Sequence, residues 1–401
     1  MDRRAVLTPI VVFPALWLAG VGLAQIHVVT LQRPWSWRMW TVVLLVPAVF
    51  VFAGVLAQEF VRVRARASSA WFRRFRGRVP LRPILALFIV LGYAELAHQF
   101  STSGKVPLFS SNIDAARFAQ PGGISIVLTD LLTVAAIVAI VAPPKLIARE
   151  TWFELAVVGA ALFGFALQAG RGSIVLPIVV GALGRILYWG LPRFEWLAAS
   201  AVLVIGIVSV VFFARTAQHS ANPFESGFYA SELPAVPWLL RPLVPVHLAV
   251  AMNFEGLARI VDYFPTYAHF GYWRYDVGLF HRVLPAKDAT TVSGIQASPY
   301  VTNTMVGPFW ADGGFVGVTI GVALVAVLSS AASALARLTG QFRYVVVAAY
   351  LLYMTMFGLY DNLFTRYPDW LIVIPTLFLV GSVAVLPRQA ADEALLSPAV
   401  A

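Results

Sequence analysis

The sequence predicts an all-α polytopic membrane protein with about ten transmembrane helices and one large external loop. Two observations predict this class. Hydrophobic residues make up 60% of the chain and charged residues only 12%, which is about half the charged fraction usual for a soluble domain. The apolar residues are also collected into runs of about 20, the length that an α-helix needs to cross a bilayer.

The apolar runs divide the chain into two membrane-embedded parts separated by a polar interval. We expect spans one to seven within residues 1–213, a large external loop at 214–303, spans eight to ten within 304–387 and a cytoplasmic tail at 388–401. The runs cover residues 5–29, 40–58, 83–99, 122–142, 152–167, 173–189, 196–213, 304–336, 344–359 and 370–386. Because the eighth run is too long for one straight span, we expect a short external element at 307–315 before it crosses.

Basic residues indicate how these spans are oriented. If the N-terminus is cytoplasmic, the short cytoplasmic segments carry most of the arginines, including a dense run at residues 62–82, and the short external loops carry few. Because positive charge is costly to translocate, we expect both termini in the cytoplasm and the 214–303 loop on the external face. The basic run then anchors the protein to anionic lipid, and the net charge of +10 does not indicate a nucleic-acid partner.

The residue types that are missing restrict the possible chemistry. The chain has no cysteine, which excludes disulfides and thiolate chemistry. The six histidines are widely separated, and the sequence contains no His-x-x-x-His or Asp-x-Asp pair, no nucleotide-type glycine loop and no Gly-x-Ser-x-Gly elbow. We therefore expect neither a metal nor a cofactor.

Arg171 is the strongest single candidate for ligand binding. It lies between Gly170 and Gly172, in a very short external turn between the fifth and sixth runs. Flanking glycines allow a ligand to approach the backbone closely, and a guanidinium group matches the geometry of phosphate oxygens. The alternative is an arginine that extends to lipid headgroups. Arg117 is a second candidate, for which pairing with Asp114 is the alternative.

The polar interval contains two segments that are unsuited to a free loop. Residues 253–264 predict an amphipathic helix at the outer interface, with Glu255 and Arg259 as an exposed i, i+4 pair. Residues 272–282 combine aromatic, basic, acidic and imidazole side chains. Aromatic faces suit sugar rings, arginines suit phosphate, and Asp276 or His281 can accept a proton from a hydroxyl group. The alternative for His281 is a histidine satisfied at the interface.

Short motifs along residues 91–367 resemble those of one known family. Their order is a Gly-x-x-Pro loop with a downstream arginine, a Gly-Arg-Gly turn, a large external loop and an Asn-Thr…Asp-Gly-Gly-x-x-Gly entrance to the next span. The motif residues are Gly104, Pro107, Arg117, Arg171, Gly278, Phe280, Pro285, Asn303, Thr304, Phe309, Asp312, Gly313, Gly314 and Gly317. This order resembles the oligosaccharide repeat-unit polymerases of bacterial surface polysaccharides, the O-antigen polymerase type.

The resemblance implies a GT-C-like glycosyltransferase that moves a glycan from polyprenyl diphosphate onto a second lipid-linked repeat unit. Its implied partners are lipid-linked oligosaccharides, membrane lipids and a chain-length regulator. We predict Arg171, Asp276, His281 and Asp312 as catalytic residues. The predicted contacts to the diphosphate and the glycan are Arg117, Arg215, Arg274, Arg282, Tyr272, Trp273, Asn303 and Thr304.

Other functions stay open on the sequence alone. A ligase that transfers the glycan to a different acceptor shares the donor and the fold with a polymerase. A transporter or flippase needs ionisable residues deep in its spans, facing a cavity, and Glu95 and Asp130 are the best candidates for such residues. A purely structural scaffold is disfavoured because it gives no reason for the external arginines.

Overall fold

The computed structural model describes several separate stretches of the chain, and within them the backbone is almost entirely helical. The described residues are 8–26, 34–67, 79–110, 116, 125–143, 151–168, 171–190, 237, 244–264, 304–360, 363–365 and 369–385.

The α-helices of these stretches differ widely in length. They are α1 (Pro9–Gln25), α2 (Trp37–Ala67), α3 (Leu81–Ser103), α4 (Ser125–Val141), α5 (Trp152–Leu167), α6 (Arg171–Trp189), α7 (Val244–Tyr263), α8 (Val306–Thr339), α9 (Phe342–Phe357) and α10 (Ile374–Val383). Short 3-10 helices lie at Pro107–Phe109 and Leu363–Thr365, and a π-helical turn at Asp369–Val373 leads into α10. The two-residue strands β1 (Val79–Pro80) and β2 (Ala384–Val385) pair in parallel.

The helices have the apolar character that the sequence predicts. Within the described residues, α2, α3, α6 and α8 contain four segments long and apolar enough to cross a bilayer, and α1, α4, α5, α9 and the Asp369–Val383 helix are shorter apolar helices. Each predicted apolar run coincides with one of these helices, except 196–213, which lies outside the described residues. The predicted class, an all-α protein of membrane type, is therefore confirmed at this level.

Contacts between helix termini define two ends of the bundle. At one end, Arg82 at the start of α3 pairs with Glu154 at the start of α5, with 3.1 Å between Nε and Oε1. The β1–β2 pair joins the chain before α3 to the chain after α10 at this same end. At the opposite end, Gln168 after α5 donates a hydrogen bond to Gln99 near the end of α3. We call the end with Arg82 the lower end and the end with Gln168 the upper end.

One apolar core joins α1, α2, α7 and α8. The rings of Phe13 and Phe50 lie 4.3 Å apart, and Trp17 meets Phe254 of α7 edge-on at 4.9 Å. A Cβ atom at Gly20 would lie 2.8 Å from the Phe254 ring, so the absence of a side chain there lets α7 approach α1. Lipid chains are as apolar as these side chains, so such close packing, rather than exclusion of water, stabilises helix contacts in a membrane.

A second core joins α3, α4, α6, α9 and α10. Small residues again set the helix spacing, since a Cβ atom at Gly181 would lie 2.8 Å from Ile140 and one at Gly184 would lie 2.8 Å from Val141. Glycines at a helix contact let two backbones approach closely. Helices α4 and α6 therefore form a tight pair towards the lower end.

Helix α8 is broken near its start and forms a helical hairpin. Gly314 has φ +57° and ψ −137°, a conformation that is open to glycine and strained for other residues. The preceding segment folds back, so that the carbonyl oxygen of Phe309 lies against Gly317 and its ring lies against Gly321. The predicted separate element before the long helix is thus confirmed, and its external location stays a prediction.

Candidate functional site

Two clusters of mainly buried polar side chains lie at the upper end. The first, which we call the hairpin cluster, contains Trp35, Glu255, Thr304, Trp310 and Asp312, where α7 meets the hairpin of α8. The second, which we call the glutamine ladder, contains Glu95, Gln99 and Gln168 on α3 and at the end of α5.

Glu255 is a fully buried carboxyl group of the hairpin cluster. Its side chain is fully buried, and its Oε1 accepts a hydrogen bond of 2.8 Å from the indole nitrogen of Trp35. The predicted exposure of Glu255 is therefore wrong, and its pairing with Arg259 stays a prediction. Helix α7 buries the face that carries Glu255 against α1 and α2, because Phe254 and Ala258 lie on that same face and require burial.

The hairpin is attached to its neighbours through backbone groups. The indole nitrogen of Trp310 donates to the carbonyl oxygen of Phe264 at 3.2 Å, which connects the hairpin to the end of α7. The backbone N–H of Met305 donates to the carbonyl oxygen of Gly358 at 2.7 Å, which connects the hairpin to the end of α9. The hairpin therefore has a fixed position at the upper end.

Two residues predicted from the Asn-Thr…Asp-Gly-Gly motif lie within this hairpin. Thr304 is fully buried, and its hydroxyl accepts the backbone N–H of Val306 at 3.3 Å, so it organises the turn that begins α8. Asp312 is buried and directly precedes the Gly313–Gly314 break. An acidic group before a helix N-terminus stabilises that terminus, which suits Asp312 to hold the hairpin. Their predicted contacts with substrate stay predictions.

The glutamine ladder runs from the interior of α3 to the upper end. The side-chain amide of Gln168 donates to Oε1 of the Gln99 side chain at 3.1 Å. The amide of Gln99 in turn donates to Oε1 of Glu95 at 3.4 Å. Gln99 and Glu95 are both buried. Each amide thus presents its donor towards the carboxylate, and the ladder carries a polar path into an apolar core.

The upper end of the ladder lies close to Arg171. Arg171 is the first residue of α6, three residues after Gln168, and three residues span at most about 11 Å. Gly172 is exposed, and in the described part of the chain no atom lies within 4 Å of a Cβ atom placed there. Among the described residues, the first turn of α6 is therefore open at Gly172, and the access of a ligand between the two glycines stays a prediction.

Two further ionisable residues, Asp130 and His247, lie on described helices. Asp130 is partly buried on α4, a helix that packs against α3, and its predicted role in a transport cavity stays a prediction. His247 lies in the first turns of α7, and burial lowers the pKa of its imidazole. His247 is therefore neutral at neutral pH.

Most of the predicted site residues lie outside the described residues. These are Arg117, Arg215, Tyr272, Trp273, Arg274, Asp276, His281, Arg282 and Asn303, and the side chain of Arg171 is also outside them. Their predicted roles stay predictions. Within the stretches that are described, no three His, Asp or Glu side chains come together as metal ligands.

Sequence reasoning missed four polar residues of the upper end, namely Trp35, Glu255 as a buried group, Gln99 and Gln168. A usable signal existed for Gln99, because it follows Glu95 by four residues and so lies on the same helix face. No known protein family, no curated protein and no solved structure matches the chain. The function is therefore inferred from the chain's own residues.

Proposed function

We propose that this protein is a glycosyltransferase that polymerises oligosaccharide repeat units carried on polyprenyl diphosphate, with the upper end of the bundle as its external, active face. The observation that carries this proposal is the open first turn of α6, which begins at Arg171 beside the end of a buried polar ladder.

The start of α6 has the chemistry that a diphosphate requires. The first backbone N–H groups of a helix have no partners within the helix and carry partial positive charge. Anions bind at such termini, and a guanidinium group adds a planar set of donors. When the glycosidic bond breaks, charge develops on the diphosphate leaving group, and fixed donors aimed at that charge lower the barrier.

The distribution of basic residues supports an external upper end. Described helices carry Arg62, Arg64, Arg82, Arg185, Arg337 and Arg343 at the lower end. At the upper end they carry Arg38, Arg171 and Arg259, and Lys105 lies just after α3. An excess of positive charge is typical of the cytoplasmic side. The ten-span topology with both termini in the cytoplasm of a bacterial inner membrane is part of this proposal.

Two other functions share some of these features. A ligase uses the same donor and differs in the acceptor, so the proposed diphosphate site fits it equally. A transporter is favoured by the buried carboxylate of Glu95, because ionisable groups inside spans often mark transport paths. However, the hydrogen bonds of Glu95 lead through Gln99 to Gln168 at the upper end. This one-sided path favours a site that opens to one face.

Deletion of the gene in its native host separates the three functions. Loss of a polymerase leaves surface glycans that carry single repeat units, because transfer to the final acceptor continues. Loss of a ligase leaves long glycans on the lipid carrier, and loss of a flippase leaves lipid-linked units on the cytoplasmic side. Gel analysis of surface glycans and mass spectrometry of extracted lipids distinguish these outcomes, and only the first agrees with the proposal.

Complementation of that deletion tests the role of Arg171. Arg171→Lys keeps the charge and removes the planar fork of donors, so we expect a shorter chain-length distribution. Arg64→Lys is the matched control, because Arg64 is exposed near the lower end of α2. A full chain-length distribution from Arg171→Lys, at equal protein abundance, would show that the diphosphate assignment is wrong.

A further inference from the structure

Three polar side chains lie in the seam where α1, α2 and α8 meet, in its lower half. Thr8 is 4% exposed, Gln58 is 4% exposed and Ser330 is 0% exposed. Within the described part of the chain, Oγ1 of Thr8, Nε2 of Gln58 and Oγ of Ser330 have no hydrogen-bond partner. Each of the three atoms is thus buried without a hydrogen-bond partner among the described residues. One directly precedes α1, one lies on α2 and one lies on α8.

The close approach of the helices at Gly54 brings these side chains into one seam. A Cβ atom at Gly54 would lie 2.5 Å from Cγ2 of Ile10 and 2.7 Å from Oγ of Ser330. Gln58 follows Gly54 by one helical turn on the same face of α2, and Thr8 precedes Ile10 by two residues. The three polar groups therefore lie within about one helical turn of the Gly54 contact.

Ser330 differs from the serine beside it. The hydroxyl of Ser329 donates to the carbonyl oxygen of Val325 at 2.7 Å, the usual way in which a helix satisfies a serine side chain. Ser330 makes no such bond within the described residues. Its hydroxyl lies at Gly54 of the neighbouring helix, so it is directed into the seam.

We propose that this seam is a water-binding site. Buried polar groups in proteins have hydrogen-bond partners, and where protein groups do not supply them an internal water molecule does. A water oxygen accepts the amide N–H of Gln58 and exchanges hydrogen bonds with the hydroxyls of Ser330 and Thr8. A cation does not satisfy the Gln58 nitrogen, which is a donor, and an anion would be enclosed here by neutral side chains at a high desolvation cost.

The site has a consequence for α8. That helix carries the hairpin at the upper end, and its lower half meets α1 and α2 through this seam. Bridging water would connect the three helices with hydrogen bonds that no pair of side chains makes directly. The lower half of α8 is then held by a polar joint, and its upper part by the apolar core around Phe50 and Trp310.

A double-substitution cycle with Gln58→Leu and Ser330→Ala tests the proposal by the sign of the effect. If water bridges the two groups, each single substitution lowers the apparent melting temperature of the purified protein in nanodiscs. The melting temperature of the double variant then falls by less than the sum of the two single decreases, because each single substitution already disrupts the same hydrogen-bond network. Ser329→Ala is the control, since that hydroxyl bonds only within its own helix. A rise in melting temperature for either single variant, or strictly additive losses, would overturn the proposal.

Radiolytic footprinting in ¹⁸O-water separates bridging water from a direct bond between Gln58 and Ser330. Radicals formed on bound water oxidise adjacent side chains, so we expect ¹⁸O label at Ile10 that is lost in the double variant. Label at Ile26, an exposed residue at the far end of α1, should stay unchanged. Coupled stability losses without any change of label at Ile10 would show a direct bond and overturn the water site.

Discussion

The hairpin of α8 depends on two glycines for two different physical reasons. Gly314 adopts a positive φ of 57° with ψ −137°, which a residue with a Cβ atom adopts only with strain. Gly317 has an ordinary helical position, but a Cβ atom there would overlap the backbone carbonyl of Phe309. Gly313, between Asp312 and Gly314, has a negative φ of −157° and open space around its Cβ position. Gly313→Ala is therefore a matched control beside both.

The size of each effect follows from these geometries. A residue held in such a disfavoured backbone region costs about 1–3 kcal/mol, so we expect Gly314→Ala to destabilise by that amount. At Gly317 the atom in conflict is backbone and cannot rotate away, so the returning segment of the hairpin must shift. Overpacking of this kind costs about 1–3 kcal/mol or more. Gly313→Ala should change stability by less than about 0.5 kcal/mol.

Thermal unfolding of the purified protein, followed by the fluorescence of its 12 tryptophans, measures these differences. We expect apparent melting temperatures to fall for Gly314→Ala and Gly317→Ala and to stay near the wild-type value for Gly313→Ala. Gly159→Ala provides a second control, because Gly159 is an exposed helical residue of α5 with nothing within 4 Å of its Cβ position. If Gly317→Ala behaves like Gly159→Ala, segment 306–312 does not fold back on α8 and the hairpin is wrong.

Three further predictions concern the polar contacts. Trp35→Phe removes the indole donor from the buried carboxylate of Glu255 and should cost about 1.5–3 kcal/mol, as for hydrogen bonds to charged groups; Glu255→Gln in the same background should recover part of the loss in thermal unfolding. Arg82→Ala removes the partner of Glu154, which is far less exposed than Arg82. Because Arg82 is half-exposed, we expect the free energy of unfolding to fall by only about 1 kcal/mol. This loss should be larger than the loss in the double variant Glu154→Gln Arg82→Ala. Gln99→Leu breaks both hydrogen bonds of the glutamine ladder and should reduce polymer length in the complemented deletion strain. An unchanged glycan profile would show that the activity does not depend on the ladder.

The positions of the apolar helices could be predicted from hydropathy because a helix that faces lipid is apolar on most of its surface. The run 152–167 coincides with α5 for this reason. The start of α7 could not be predicted in this way. Its first turn contains Pro245 in a proline-rich stretch, which suggests a loop, although proline is tolerated in the first turn of a helix. The predicted helix at 253–264 was therefore too short at its N-terminal side.

The burial of Glu255 shows where reasoning from polarity fails. A polar residue in a polar interval is expected to face water, yet helical spacing contradicts this for Glu255. It follows Ala251 by four residues and precedes Ala258 by three, and both alanines are buried. The helical repeat therefore predicts that Glu255 lies on the buried face of α7. The partner was not predictable, because Trp35 is 220 residues away in the chain and its approach depends on tertiary packing.

The hairpin cluster and the start of α6 differ in their exposure to solvent. In the hairpin cluster, the side chains of Glu255, Thr304 and Asp312 are buried, so they are not accessible from solvent in this conformation. At the start of α6 the exposed Gly172 leaves the backbone accessible. Electrostatic catalysis requires donors that are already in place, because such donors need not reorganise when charge develops. If the proposed function holds, Asp312 acts through the position of the hairpin, and direct contact with the diphosphate falls to the turn that begins at Arg171.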